Sequence, residues 1–224
     1  MKDNLGNRMK EYYENKTRYY LTRRIPVIMR LDGKAFHTLT RKISAFNEIF
    51  QYSMIGAAQF LIQEIQGAKC AYVQSDEISI LITDFDKLTT DSWFGYNIQK
   101  MVSVSASMAS VMFTRLYGET GFFDSRVFNI PKEEVVNYFR WRQKDWIRNS
   151  VQILGQQHYS QKELHGKKKS DIHEMLYKKG VNWSNLPSIF KNGTFVDKNT
   201  DYRFNVNFFA QDRIVVENYL KGNE

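Results

Sequence analysis

Residues 70–84, CAYVQSDEISILITD, dictate much of what this chain can become. Two apolar, β-branched runs, 70–76 and 78–84, adjoin at Ser75-Asp76-Glu77, the pattern of a hairpin with a polar tip. An earlier run, IPVIMRL at 25–31, reads as a buried strand that ends at the turn signal Asp32-Gly33. A helix over 46–66 lies between them. A long helix over 92–117 follows the hairpin, with Phe94, Ile98, Met101, Ser105, Met108, Met112 and Leu116 at helical spacing. FFDSRVFNI at 122–130 is a fourth strand, stopped by Pro131. The order β-α-β-β-α-β predicts an α+β fold, a ferredoxin-like antiparallel sheet with two helices on one face. Helical patterns at 4–22, 132–155 and 160–179 and a strand-like aromatic run, YRFNVNFF at 202–209, complete the chain.

The 224 residues hold 42% hydrophobic and 15% aromatic residues, which suits a packed core and excludes a disordered chain. No apolar run reaches the roughly 18–20 residues that a bilayer span needs, and the N-terminus lacks the apolar middle of a signal peptide. The expectation is a soluble, intracellular, cytoplasmic protein with no membrane partner. A single cysteine, Cys70, excludes an intrachain disulfide and a cysteine-based zinc site, and it reads as a small buried residue. The net charge of +8 is uneven: residues 1–24 carry seven Lys/Arg against three acids, and residues 140–179 carry ten against four. Either patch alone reads equally as a solvated helical face. Together, basic flanks around a more acidic centre suit a polyanionic partner.

Chemistry concentrates at two points. Asp32 stands at the end of a buried strand, and Gly33 lets the backbone approach a ligand. In a split β-α-β-β sheet the first and third strands are neighbours, so the strand end at Asp32 and the hairpin tip at Asp76 fall at one sheet edge. Two adjacent carboxylates repel unless a cation lies between them, and Mg²⁺ prefers a few carboxylates plus substrate phosphates. A pair of such ions can activate an attacking oxygen and stabilise a leaving one. On the residues alone, Asp32 as a turn residue and Asp76-Glu77 as an ordinary hairpin tip remain equally good readings. Lys34, His37, Lys100 and Arg126 are candidates for holding a triphosphate, and each also reads as a surface charge, or for His37 a core histidine. No P-loop, G-x-G-x-x-G or Ser-His-Asp pattern is present.

At these residues the chain resembles the tRNA(His) guanylyltransferase superfamily, the 3′–5′ reverse polymerases. The resemblance rests on Arg30-Leu31-Asp32-Gly33-Lys34-Ala35-Phe36-His37, Gln74-Ser75-Asp76-Glu77-Ile78-Ser79, Phe123-Asp124-Ser125-Arg126-Val127, Tyr138-Phe139-Arg140-Trp141-Arg142-Gln143-Lys144-Asp145 and Leu164-His165-Gly166-Lys167. It implies a polymerase palm with its N-terminal helix over 1–135, and a helical, basic part over 136–224 that completes the fold and binds tRNA. It implies that Asp32, the Gly33 carbonyl and Asp76 bind two Mg²⁺, with Glu77 joining Asp32 and Asp76 in the catalytic set. Nucleotide contacts fall to Asp32, Gly33, Lys34, Ala35, Phe36, His37, Ser75, Asp76, Lys100 and Arg126. GTP and ATP are the implied substrates beside tRNA, and a homotetramer the implied assembly. Arg140, Arg142, Arg148, Lys167, Lys168 and Lys169 are the candidate tRNA contacts.

One segment departs from the family pattern. Where the eukaryotic histidine-tRNA enzymes carry H-I-N-N, this chain has Trp146-Ile147-Arg148-Asn149. That loss resembles the guanylyltransferase-like proteins that rebuild truncated tRNA 5′ ends against a template. Strict addition of one G to tRNA(His) is the alternative. A palm-type nucleotide cyclase and a catalytically silent RNA-binding module are the remaining readings; the W-R-Q segment argues against the first and the intact carboxylates against the second.

Overall fold

The computed structural model describes residues 4–40, 46–199, 202 and 205–221. Helix α1 (Asn4–Tyr12) is followed by a 3₁₀ turn at Glu14–Thr17, so the helix expected over 4–22 is interrupted. Beyond it Tyr20 bridges to Asn97 in extended form. Then come β1 (Val27–Gly33), the short α2 (Phe36–Leu39), α3 (Glu48–Glu64), β2 (Ala68–Gln74) and β3 (Glu77–Ile82). They are followed by α4 (Ile98–Tyr117), β4 (Phe123–Asn129), α5 (Lys132–His158), α6 (Gln161–Leu164) and α7 (Lys169–Lys178). The chain continues through α8 (Ser188–Lys191), β5 (Thr194–Asp197) and α9 (Gln211–Tyr219). Asparagines set both central helices. The Asn47 side chain accepts from Phe50 N at 2.8 Å to start α3, and Asn97 accepts from Lys100 N at 3.0 Å to start α4.

All pairings are antiparallel, in the order β4-β1-β3-β2-β5. The first four strands have the split arrangement expected from the β-α-β-β-α-β order. Side chains alternate across the sheet. Val27, Met29, Leu31, Ala71, Val73, Ile78, Ile80 and Ile82 pack under α3 and α4, where Phe36, Phe50, Phe113 and Phe123 form a ring cluster. Ile28, Cys70, Tyr72 and Leu81 face the other way, under the first half of α5 and under α9. The second half of α5 forms a third core with α6 and α7 through Val151, Leu154, Leu164, Ile172 and Leu176.

Two expectations are corrected here. The strand β5 had no counterpart in the sequence reading, because Thr-Phe-Val-Asp is too short to show a period. The run at 202–209 is not a strand in its described part: residues 205–209 form a bend and turn, and 203–204 lie outside the described residues. The tail's backbone bonds go to a side chain instead. The buried Gln143 donates from Nε2 to the Val206 carbonyl at 2.7 Å and accepts from Phe208 N at 3.1 Å. That clamp seats Phe208 against Tyr72, Phe139 and Phe195. Gln143→Leu should therefore destabilise the protein by about 2–5 kcal/mol in urea unfolding, since each buried, unsatisfied backbone group costs roughly 1–3 kcal/mol. A variant as stable as the parent would show that the tail is held by its rings alone.

Candidate active site

At one end of the sheet the α5-facing side chains turn from apolar to charged. Asp32, on central β1, pairs with Glu77 of β3 on one side and Asp124 of β4 on the other. Three acids thus lie in one row across three strands, with Asp76 at the adjoining tip. Like charges directly opposite across strands destabilise a sheet unless they are compensated. Arginines supply the compensation. Arg126 donates to Asp124 at 2.8 Å, and Arg30 donates from Nη2 to Asp32 Oδ2 at 3.0 Å while its Nε lies 3.0 Å from Glu77 Oε2. Arg142, rising from α5, grips Glu77 with both prongs at 2.8 and 2.6 Å.

The β2–β3 turn brings Asp76 to this row. Only Ser75 and Asp76 separate the strands, Ser75 has φ 49°, and the Asp76 carbonyl accepts from Gly33 N at 3.0 Å. Burial, and next the Asp32 charge, push the Asp76 carboxyl up to about 6. Among the described residues no Lys or Arg pairs with Asp76. Asp32 and Asp76 open on a cavity of about 290 Å³ walled by Trp146, Asn149, Gln152 and Gln156 of α5.

The donor set suits Mg²⁺. Among the described residues no group of three or more His, Cys, Asp or Glu is placed so that it could hold a metal ion. Magnesium does not need one, since it commonly takes one or two carboxylates and completes its shell with water and phosphate oxygens. The raised Asp76 carboxyl beside Asp32 marks negative charge that a cation would relieve.

Other expected site residues fall into two groups. Lys34, His37, Lys100 and Arg126 are exposed; Lys100 stands in the first turn of α4, away from the Asp32 end of β1, and Arg126 lies on β4 opposite Arg30. Ala35 is exposed with φ 56°. Two backbone N–H groups beside Asp32 are already taken: Gly33 N bonds Asp76 O at 3.0 Å and Lys34 N bonds Phe122 O at 2.8 Å. The Phe36 ring is a core group, 3% exposed among Phe50, Phe113 and Phe123, which leaves its backbone for the expected nucleotide contact. Its ring also explains Gly33, where a Cβ would stand 2.5 Å from a Phe36 ring atom.

Arg142 is corrected. Expected among the tRNA-contacting cations, it is 6% exposed and spends its guanidinium on Glu77. Of the other cations in that group, Arg148, Lys167, Lys168 and Lys169 are exposed. Arg148 pairs with Asp145, and Lys169 lies 5.7 Å from the Trp183 ring. The half-buried Arg140 donates to the Phe208 carbonyl at 3.0 Å. The cavity wall of Gln152 and Gln156 was missed by sequence reasoning. Their spacing from Asn149, at three and seven residues, is the helical-face signal that could have shown it.

A raised carboxyl loses stability as it ionises. The folded-state value near 6 lies above the unfolded value of about 3.9. In chelator-treated protein the Asp76 contribution is therefore intact below about pH 4 and is lost as pH rises through about 6. Asp76→Asn should raise the melting temperature at pH 8 and leave it unchanged at pH 4. An equal effect at both values would mean that Asp76 is not under electrostatic strain.

Residues 6–131 match the model of the tRNAHis guanylyltransferase family. A tRNA(His) guanylyltransferase of Debaryomyces hansenii is 29% identical over 79% of this chain and 74% of its own length. Two structures of a bacterial tRNA(His) guanylyltransferase (Thg1)-like protein, one in complex with ATP and one with GTP, superpose with TM-scores of 0.92 and 0.85. The first is 40% identical and covers 97% of this chain and 99% of its own; the second is 39% identical and covers 98% and 100%. Carboxylates converging at a βαββαβ sheet edge, a match over more than half of the residues and near-complete superposition lead to one conclusion: the chain belongs to the tRNA(His) guanylyltransferase family of nucleotidyltransferases.

Proposed function

We propose that this protein adds nucleotides to the 5′ end of tRNA in the 3′–5′ direction, choosing each by pairing with the opposing strand. The observation that carries the reading is the convergence of Asp32 and Asp76 at the tip of the sheet, with Asp76 left without a cationic partner. Asp32, the Gly33 carbonyl and Asp76 are the groups that would hold Mg²⁺. Two such ions, when bound, supply a polarised 3′-hydroxyl and a stabilised leaving group. The 3′-oxygen of the incoming nucleotide forms a bond to the 5′ phosphorus of the RNA. Pyrophosphate departs from a 5′-triphosphate end, or AMP from an end adenylylated with ATP.

The chain's own residues position the reactants. In this reading the exposed Lys34, His37 and Arg126 hold the triphosphate of GTP or ATP, and Lys100 serves a more distant phosphate, since the start of α4 is bonded to the segment entering β1 rather than to its Asp32 end; the bacterial relatives in complex with these nucleotides support the choice of nucleotide. Arg148, Lys167, Lys168 and Lys169 contribute phosphate-backbone contacts to tRNA, with Arg140 at their edge. A homotetramer is part of this reading. Trp146 and Asn149 favour repair over strict addition of G to tRNA(His). Both belong to the segment that departs from H-I-N-N, and both wall the cavity beside the carboxylates. The departure thus bears on the substrate as well as on the surface.

The test is a 5′-addition assay on tRNA lacking its first nucleotide, with each nucleoside triphosphate supplied in turn and the opposing base varied. Addition that follows the opposing base is expected; G added regardless would restore the strict histidine-tRNA activity, and cyclic product from GTP alone would make the protein a cyclase. Asp32→Ala and Asp76→Ala should each abolish addition and leave tRNA binding largely intact. Replacing Lys167, Lys168 and Lys169 together by Ala should weaken tRNA binding and flatten its dependence on salt. An unchanged salt slope would make these lysines a solvated face.

A further inference from the structure

The Glu77 carboxylate accepts three hydrogen bonds and has an arginine nitrogen in ion-pair contact. Oε1 accepts from Arg142 Nε at 2.8 Å and from Ser79 Oγ at 3.1 Å; Oε2 accepts from Arg142 Nη2 at 2.6 Å and lies 3.0 Å from Arg30 Nε. A carboxylate offers about four lone-pair positions. A cation could bind Glu77 only by displacing an arginine from a site that is 5% exposed. Ser79 is held in turn, 2.8 Å from the Tyr138 hydroxyl. Glu77 borders the same cavity as Asp32 and Asp76, but its oxygens are already committed to protein donors.

What Glu77 holds is informative. The Arg30 guanidinium lies between two acids, with Nε in ion-pair contact with Glu77 and Nη2 hydrogen-bonded to Asp32 Oδ2. A guanidinium is planar and rigid, so fixing one nitrogen fixes where the others point. Asp32 stands at a strand end with its side chain 30% exposed, where an aspartate would otherwise be free to change rotamer. We propose that Arg142, Glu77 and Arg30 form a relay that sets the orientation of the Asp32 carboxylate, and that Glu77 is a positioning residue and not a metal ligand. The inference rests on the reading of Asp32 as a metal ligand given above. It deepens that reading, because the partners that orient a metal-ligating group commonly change metal affinity when altered. Arg142 belongs to α5, so the helix that walls the cavity also steadies the carboxylate opposite it.

The relay makes a demand that a merely stabilising buried ion pair does not. Arg142→Lys keeps a cation beside Glu77 and removes the two-pronged grip. Arg30→Lys does the same at the next link. Mn²⁺ titration followed by electron paramagnetic resonance, with a thermal melt on each sample, reads site geometry apart from folding. For either lysine variant that remains folded at the assay temperature, Mn²⁺ affinity should fall about 10–100-fold. The maximal rate of nucleotide addition should fall with it, while the KM for tRNA stays near the parent value. Asp32→Asn should abolish the Mn²⁺ signal outright. Parent-like Mn²⁺ affinity in both lysine variants would overturn the relay and leave these residues a purely structural role. If in addition Glu77→Gln loses Mn²⁺ as completely as Asp32→Asn, Glu77 is itself a ligand. Undiminished Mn²⁺ binding in Asp32→Asn would contradict the metal reading itself, and the relay with it.

Discussion

Repulsion among carboxylates at one end of the sheet is the constraint around which this structure is built. Glu77, Asp32 and Asp124 are neighbours across β3, β1 and β4, and Asp76 joins them from the hairpin tip. Two carboxylates about 5 Å apart repel by roughly 3 kcal/mol at an effective dielectric near 20. A fold meant only to be stable would not collect them. Three arginines balance Asp124, Asp32 and Glu77, while Asp76 is left unbalanced. The uncompensated carboxylate is pushed up to about 6 by burial and by the Asp32 charge, and it faces the cavity. Charge is neutralised where the protein needs rigidity and left exposed where a cation and its phosphates would enter.

Helix α5 connects this chemistry to the rest of the chain. Its first half covers the second face of the sheet with Val135, Val136, Tyr138 and Phe139. Its middle reaches Glu77 through Arg142 and the tail through Gln143. Its last turns wall the cavity and pack on α6 and α7. The W-R-Q motif thus owes two of its three residues to internal bonding. Trp141 is 54% exposed, and the Arg142 guanidinium lies 4.6 Å from its ring. A motif read in part as an RNA-contacting surface is in large part the fastening of α5 to the sheet and to the tail.

Much of this was legible in the sequence, for physical reasons. β-Branched runs ending in Asp-Gly and in Ser-Asp-Glu mark strand ends, and the β-α-β-β order fixes which ends meet. Asp32 and Asp76 follow from those two facts. The partners of Glu77 do not, because an ion pair between residues 65 positions apart leaves no local pattern. Phe36 hid inside a motif that points to ligand binding, although an aromatic next to a buried strand is as often core. The strand β5 was too short to show alternation, and the tail imitated a strand because Val206 and Phe208 are buried between exposed neighbours while Gln143 satisfies their backbone. The departure at Trp146 to Asn149 was legible as a difference, but its place in the cavity wall required the helix to be seen in three dimensions.

The most direct measurement is a crystal structure of the protein soaked with Mn²⁺ and a nucleoside triphosphate, with the metal located by anomalous scattering. The account predicts density within about 2.0–2.3 Å of oxygens of Asp32 and Asp76, bridged to the triphosphate, with Glu77 still gripped by Arg142 and Arg30. Metal bound at Glu77 with Arg142 displaced, or a nucleotide bound with no metal at Asp32, would contradict it.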